Sequence, residues 1–76
     1  MPKIDPLSRN KFEKFLRYIG CEKIRTKGDH IIYRRAGLKR PVVIVVDKEI
    51  SPFIIRSNLR TLGISVEQFK EILSRL

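Results

Sequence analysis

The chain holds one histidine, His30, and one cysteine, Cys21, among 76 residues. One imidazole is enough to move a proton. Histidine is the residue type best suited to exchange a proton near neutral pH, and general acid or base catalysis contributes typically about 10²–10⁴-fold. Arg25, Lys27 and Arg34 lie close to His30 in the sequence. They are within reach of the same turn and strand, and a cation held beside a phosphoryl oxygen can steady the charge that develops there, so a phosphate ester is one group such a site could act on. In RNA the 2′-hydroxyl loses a proton as it attacks the adjacent phosphorus, and the leaving 5′-oxygen gains one; imidazole suits either role. The competing reading is plain: a lone histidine at the start of a strand is more often a surface or core residue than a catalyst.

The charge favours a polyanionic partner. There are 17 Lys and Arg against 8 Asp and Glu, a net charge of +9, and a positive field of that size on so small a domain attracts nucleic acid first. The excess is uneven, since residues 21–50 carry eight of the 17 cations. Beyond Arg25, Lys27 and Arg34, the cations Arg35, Lys39 and Arg40 gather around the same hairpin. Phosphate contact and a merely solvated surface are the two readings of that group. Arg56 and Arg60, four apart on one helix face, have the same two readings.

Size excludes a large enzyme with an enclosed cofactor pocket, because a chain this short buries only about 60% of its unfolded surface. One Cys and one His supply neither a disulfide framework nor a zinc site, so no metal and no small-molecule cofactor is expected. Nothing N-terminal reads as a signal peptide, and the longest apolar run, Val42 to Val46, is too short to span a bilayer. A cytoplasmic protein with no membrane partner is expected.

The elements that must position His30 follow from the hydrophobic period. Residues 1–7, with Pro2 and Pro6, read as an extended lead-in. Ser8 then caps a helix in which Phe12, Phe15, Leu16 and Ile19 share one face, with Gly20 ending it. Arg9, Lys11, Glu13, Lys14 and Arg17 are expected on its solvated face. The period changes to two at Cys21: Glu22 to Thr26 form a strand, Lys27-Gly28-Asp29 a turn, and His30 to Arg35 a second strand. Within it His30, Ile32 and Arg34 point one way, and Ile31, Tyr33 and Arg35 the other. Gly37 marks a turn and Pro41 opens a third strand, Val42 to Val46. Ser51-Pro52 starts a second helix that Gly63 stops, and Ser65 with Gln68 forms a capping box for a last helix within 65–76. The order α-β-β-β-α(-α) predicts an α+β fold, a three-stranded antiparallel sheet with its helices on one face.

Two stretches carry a resemblance. Gly20 to Tyr33, with Arg25-Thr26-Lys27-Gly28 before His30 and an apolar strand after it, resembles the signature of the HicA-type (YcfA-like) toxin family. Lys48 to Pro52, then Ile55-Arg56-Ser57 and Leu59 to Ser65, resembles that family's second block, and Glu67-Gln68-Phe69 its tail. The likeness runs over about residues 8 to 73, with both blocks in the family's order. It implies one HicA-like domain over residues 1–76 and a double-stranded-RNA-binding-domain-like fold. It also implies metal-independent endoribonuclease activity on mRNA and a HicB-type antitoxin as partner. The family's catalytic histidine falls on His30. Two positions depart from the family: Asp47 stands where many members have histidine, and Phe53 where they have glycine. A non-catalytic RNA-binding module with the same fold is therefore the alternative function.

Other residues read more simply. Gly28 is counted with Arg25 and Lys27 among the RNA-binding residues, and it is needed in the turn whichever reading holds. Tyr33 is equally a core residue and a platform for a base. Cys21 is a small buried hydrophobe. Phe53, Ile54 and Ile55 exceed what one core face needs, which leaves part of that cluster for a partner protein.

Overall fold

The computed structural model describes residues 4–76, so residues 1–3 of the expected lead-in lie outside the described residues. The first helix, α1 (Arg9–Tyr18), starts where the Ser8 hydroxyl accepts from the Lys11 amide at 3.2 Å. It ends in two crossed hydrogen bonds, Cys21 N to Leu16 O at 2.9 Å and Gly20 N to Arg17 O at 3.1 Å. That closure needs a left-handed residue between them, and Gly20, at φ 91°, supplies it. The second helix, α2 (Pro52–Leu62), repeats the device at Gly63, and α3 (Val66–Leu73) opens on the expected capping box of Ser65 and Gln68.

Between the helices lie β2 (Glu22–Lys27), β3 (His30–Arg34) and β4 (Val42–Val45), an antiparallel sheet in that order. Alternation along β3 buries Ile31 and Tyr33, and along β4 Val42 and Ile44. These four meet Phe12, Phe15 and Leu16 of α1 and Ile55, Leu59 and Leu62 of α2, so one face of the sheet is core and the other is open. Phe69 brings α3 onto the same core, its ring edge-on to Phe15 at 4.7 Å and to Phe12 at 6.0 Å. Asn58 closes the outer edge of β4 by donating from Nδ2 to the Val43 carbonyl at 3.1 Å. The edge left over is β2, which is exposed throughout; its lysines and arginine discourage pairing with another chain.

Two features depart from the sequence reading. The lead-in ends in a strand, β1 (Leu7–Ser8), which pairs antiparallel with β5 (Glu49–Ile50). Such a two-residue pairing has no periodicity to announce it. Glu13, expected in solvent, is buried at 9% exposure. Its carboxylate accepts the Tyr33 hydroxyl and lies 3.3 Å from Arg9 Nε, while Arg9 Nη1 donates to the Val46 carbonyl. The position flanks the apolar face of α1, and a carboxylate can sit there because a phenol and a guanidinium replace its water. Tyr33 is thereby core, with no platform left for a base.

Burial and the Glu13 carboxylate together push the Tyr33 phenol up from 10.0 to about 12. The fold therefore holds a proton that the unfolded chain releases, and this contribution to stability is complete below about pH 10 and lost as pH rises to about 12. Melting temperature should fall across that window in the parent and fall less steeply in Tyr33→Phe. Glu13→Ala should lower the unfolding free energy in urea by about 2–4 kcal/mol, since it strands both partners. A loss below about 0.5 kcal/mol would mean that the carboxylate is not integral to the core.

Candidate functional site

His30 is the first residue of β3 and is exposed. A two-residue turn, Gly28-Asp29, joins it to Lys27, its partner across the hairpin. Gly28 has φ 58° and Asp29 a negative φ, the order of signs in a type II′ turn. On the other side His30 stands opposite Val45 of β4, and the ladder continues one step further, with Val46 N donating to Asp29 O at 3.0 Å. The imidazole thus sits on the middle strand, its backbone fixed from both sides.

Facing residues in an antiparallel pair share a side of the sheet. The open face accordingly carries His30, Ile32 and Arg34 from β3, Lys27 and Arg25 from β2 opposite His30 and Ile32, and Val43 and Val45 from β4. Glu22 stands opposite Arg34. The strand β2 does not alternate evenly to give this. Its register shifts between Lys23 and Arg25, so Ile24 is an extra residue and Lys23 falls opposite Tyr33, on the core side. The bulge separates Lys23 from Arg25 and Lys27 and leaves Ile24 52% exposed. No residue pattern in 22–27 announces it.

The remaining cations lie elsewhere. Arg35 follows β3 on the core side of the sheet, where Nη1 donates to the Ile19 carbonyl at 3.2 Å. Lys39 and Arg40 occupy the loop before β4 and share a cavity with Arg35 and Arg60, away from His30. The sequence brought Arg34, Arg35, Lys39 and Arg40 together as one hairpin group; the fold distributes them over two faces. Arg34 alone of the four is on the face of His30.

Asp47 lies in the turn after β4, at the His30 end of the sheet. That turn is held from below by Arg9, through its side chain on Val46 O and its amide on Lys48 O at 2.8 Å. Arg9 and Glu13 are supports of the site that residue type alone did not reveal; their only signal is a spacing of four beside an apolar helix face. Cys21 is buried, and burial pushes its thiol up, with Arg35 drawing it partly back, which leaves it a poor nucleophile. Among the described residues no three His, Cys, Asp or Glu side chains are grouped as a metal site needs, and no helix is long and apolar enough to cross a membrane.

Residues 9–64 match the family described as "HicA toxin of bacterial toxin-antitoxin". The chain belongs to the HicA toxin family. The match covers α1, the whole sheet and α2, so the α+β order and the three-stranded antiparallel sheet are those of a HicA toxin, a double-stranded-RNA-binding-domain-like fold. HicA toxins are in general endoribonucleases, working on RNA within a toxin-antitoxin system and paired with an antitoxin. No curated protein and no solved structure matches the chain.

In this HicA chain the backbone at Gly28 sets the relation of His30 to Lys27. A side chain there meets no neighbour, so crowding is no obstacle, but φ 58° is a conformation that L residues resist. Gly28→Ala should lower stability by about 1–2 kcal/mol and weaken the cross-strand nuclear Overhauser contacts between Lys27 and His30. Unchanged contacts at unchanged stability would show that the turn does not set this pairing.

Proposed function

We propose that the chain is a metal-independent endoribonuclease in which His30 is the general acid/base and Arg25, Lys27 and Arg34 hold the phosphate. The observation that carries the reading is the shared face: an exposed imidazole with Lys27 directly across the hairpin and Arg25 and Arg34 along the same side. The 2′-oxygen attacks phosphorus as the bond from phosphorus to the 5′-oxygen breaks, giving a 2′,3′-cyclic phosphate and a free 5′-hydroxyl. Imidazole takes the 2′ proton or protonates the leaving oxygen, and with one histidine in the chain water carries the other transfer. The cations offset charge on the phosphoryl oxygens in the transition state.

The partly exposed Ile32, Val43 and Val45 give the face an apolar centre on which unstacked bases can lie, which favours single-stranded RNA over a duplex. An antitoxin that covers this face silences the enzyme. The proposed HicA-like unit runs beyond residues 9–64 to the C-terminal helix, a reading supported by the packing of Phe69 against Phe12 and Phe15.

Single-stranded RNA incubated with the purified protein and a chelator should be cut by the parent. His30→Ala should slow cleavage by about 10²-fold or more while binding RNA as before. A parent that binds RNA and never cuts it would establish the non-catalytic binding module instead, the outcome to which Asp47 in place of a histidine points.

A further inference from the structure

Away from His30, the loop between β3 and β4 and the C-terminal half of α2 flank an open cavity of about 600 Å³. Arg35, Lys39, Arg40 and Arg60 line it together with the Ser57 and Thr61 side chains, and no acidic residue does. Four like charges from two segments oppose one another, and none of Lys39, Arg40 and Arg60 forms an ion pair among the described residues. Arg35 is anchored, its stem 3.6 Å from the position a Cβ would take at Gly20 and its guanidinium on Ile19 O. Two of the carbonyls at the end of α2 are engaged, Leu59 O by Ile64 N at 3.0 Å and Arg60 O by Gly63 N at 3.2 Å, which lessens their repulsion of an anion.

We infer that this cavity is a phosphate-binding site that takes a backbone phosphate of the RNA at a distance from the bond to be cut. The inference rests on RNA being the substrate and is independent of whether His30 cuts it. Arg35 lies five residues beyond His30, about 16 Å along the strand at about 3.3 Å per residue and on the other side of the sheet, so an RNA reaches both only by turning around the end of the sheet. Single-strand-binding OB folds, domains of comparable size, cover about 4–16 nucleotides. A short RNA therefore fills the His30 face alone, and a longer one reaches both. Its phosphate meets one anchored guanidinium and three cations that form no ion pair among the described residues, the arrangement that favours backbone contact over base readout.

The test measures binding in the His30→Ala chain, which leaves the RNA whole. Fluorescence anisotropy would follow labelled single strands of about four and about twelve nucleotides over a salt series, with and without Lys39→Gln and Arg60→Gln together. Both side chains are exposed, and an unchanged melting temperature checks that the fold is kept. The longer strand should bind the double variant about tenfold more weakly. Its slope of log affinity on log salt should drop by up to about 0.7, the value for one lost phosphate on a single strand, and the short strand should not respond. Equal losses at both lengths, or none, would overturn the proposal. So would inorganic phosphate shifting the Ser57 and Thr61 amide resonances in the parent and not in the variant while RNA affinity stays the same, since the site would then serve free phosphate. A parent that fails to cleave RNA leaves each of these outcomes decisive.

Discussion

The buried carboxylate of Glu13 decides which way β3 faces. Tyr33 reaches it from the core side of that strand, and Arg9 reaches it from one turn back on α1. Because side chains alternate, a tyrosine fixed downward at 33 fixes His30, Ile32 and Arg34 upward, and a slip of one residue would bury the imidazole and expose the phenol. Apolar contacts alone would not forbid that slip strongly, since Ile31 and Ile32 are interchangeable in size and chemistry. A phenol and a carboxylate are not interchangeable with them, and an unpaired carboxylate in the core costs more than any one aliphatic contact returns. The same guanidinium holds the Val46 carbonyl, and the Val46 amide holds Asp29, next to His30. One polar cluster therefore sets both the phase of the strand and the seat of the turn that starts it.

The parts of this arrangement that follow local rules are legible in the residues. Ser8, Ser51 and Ser65 cap helices, Gly20 and Gly63 end them, and Gly28 turns the hairpin, since each meets a need of its own few neighbours. The alternation of His30 to Arg35 is legible for the same reason. What depends on contacts between distant segments is not. Glu13 reads as solvent-facing until Tyr33 and Arg9 are beside it, and the pairing of Leu7–Ser8 with Glu49–Ile50 joins residues some forty positions apart. The bulge at Ile24 is a third case, because it adjusts β2 to β3 and not to itself. The cations show the consequence. Arg34 and Arg35 part to opposite sides of the sheet as alternation along the strand requires, whereas Arg40 and Arg60, far apart in sequence, line one cavity that no local pattern announces.

That division bears on what the charge does. Of the 17 Lys and Arg, Arg9 and Arg75 are joined to carboxylates, through Glu13 and Glu71. Arg9 supports the core, and the exposed pair on α3 is worth little. Arg25, Lys27 and Arg34 on one face and Lys39, Arg40 and Arg60 at the end of the sheet stand without such partners among the described residues. Mutual repulsion of this kind subtracts from stability and adds to affinity for a polyanion, whose binding relieves it. A fold of this size has a small margin to give up, so the stabilising contacts are placed underneath, in the aromatic cluster of Phe12, Phe15 and Phe69 and in the Glu13 network.

The open face also sets a ceiling on the proposed chemistry. A sheet surface does not exclude water, so each cation acts through a dielectric nearer that of solvent than that of a closed pocket, and its effect on a developing charge is correspondingly reduced. Rigid placement offsets part of this: a histidine on the central strand of a sheet, hydrogen-bonded on both sides, holds its direction better than one on a loop. Holding the substrate then falls to the number of phosphates engaged, because each contact on an exposed surface is weak. On the proposed reading, one imidazole on a broad cationic surface grips RNA by many backbone contacts and cuts it slowly, and a partner seated on the open face would block the imidazole together with Arg25, Lys27 and Arg34.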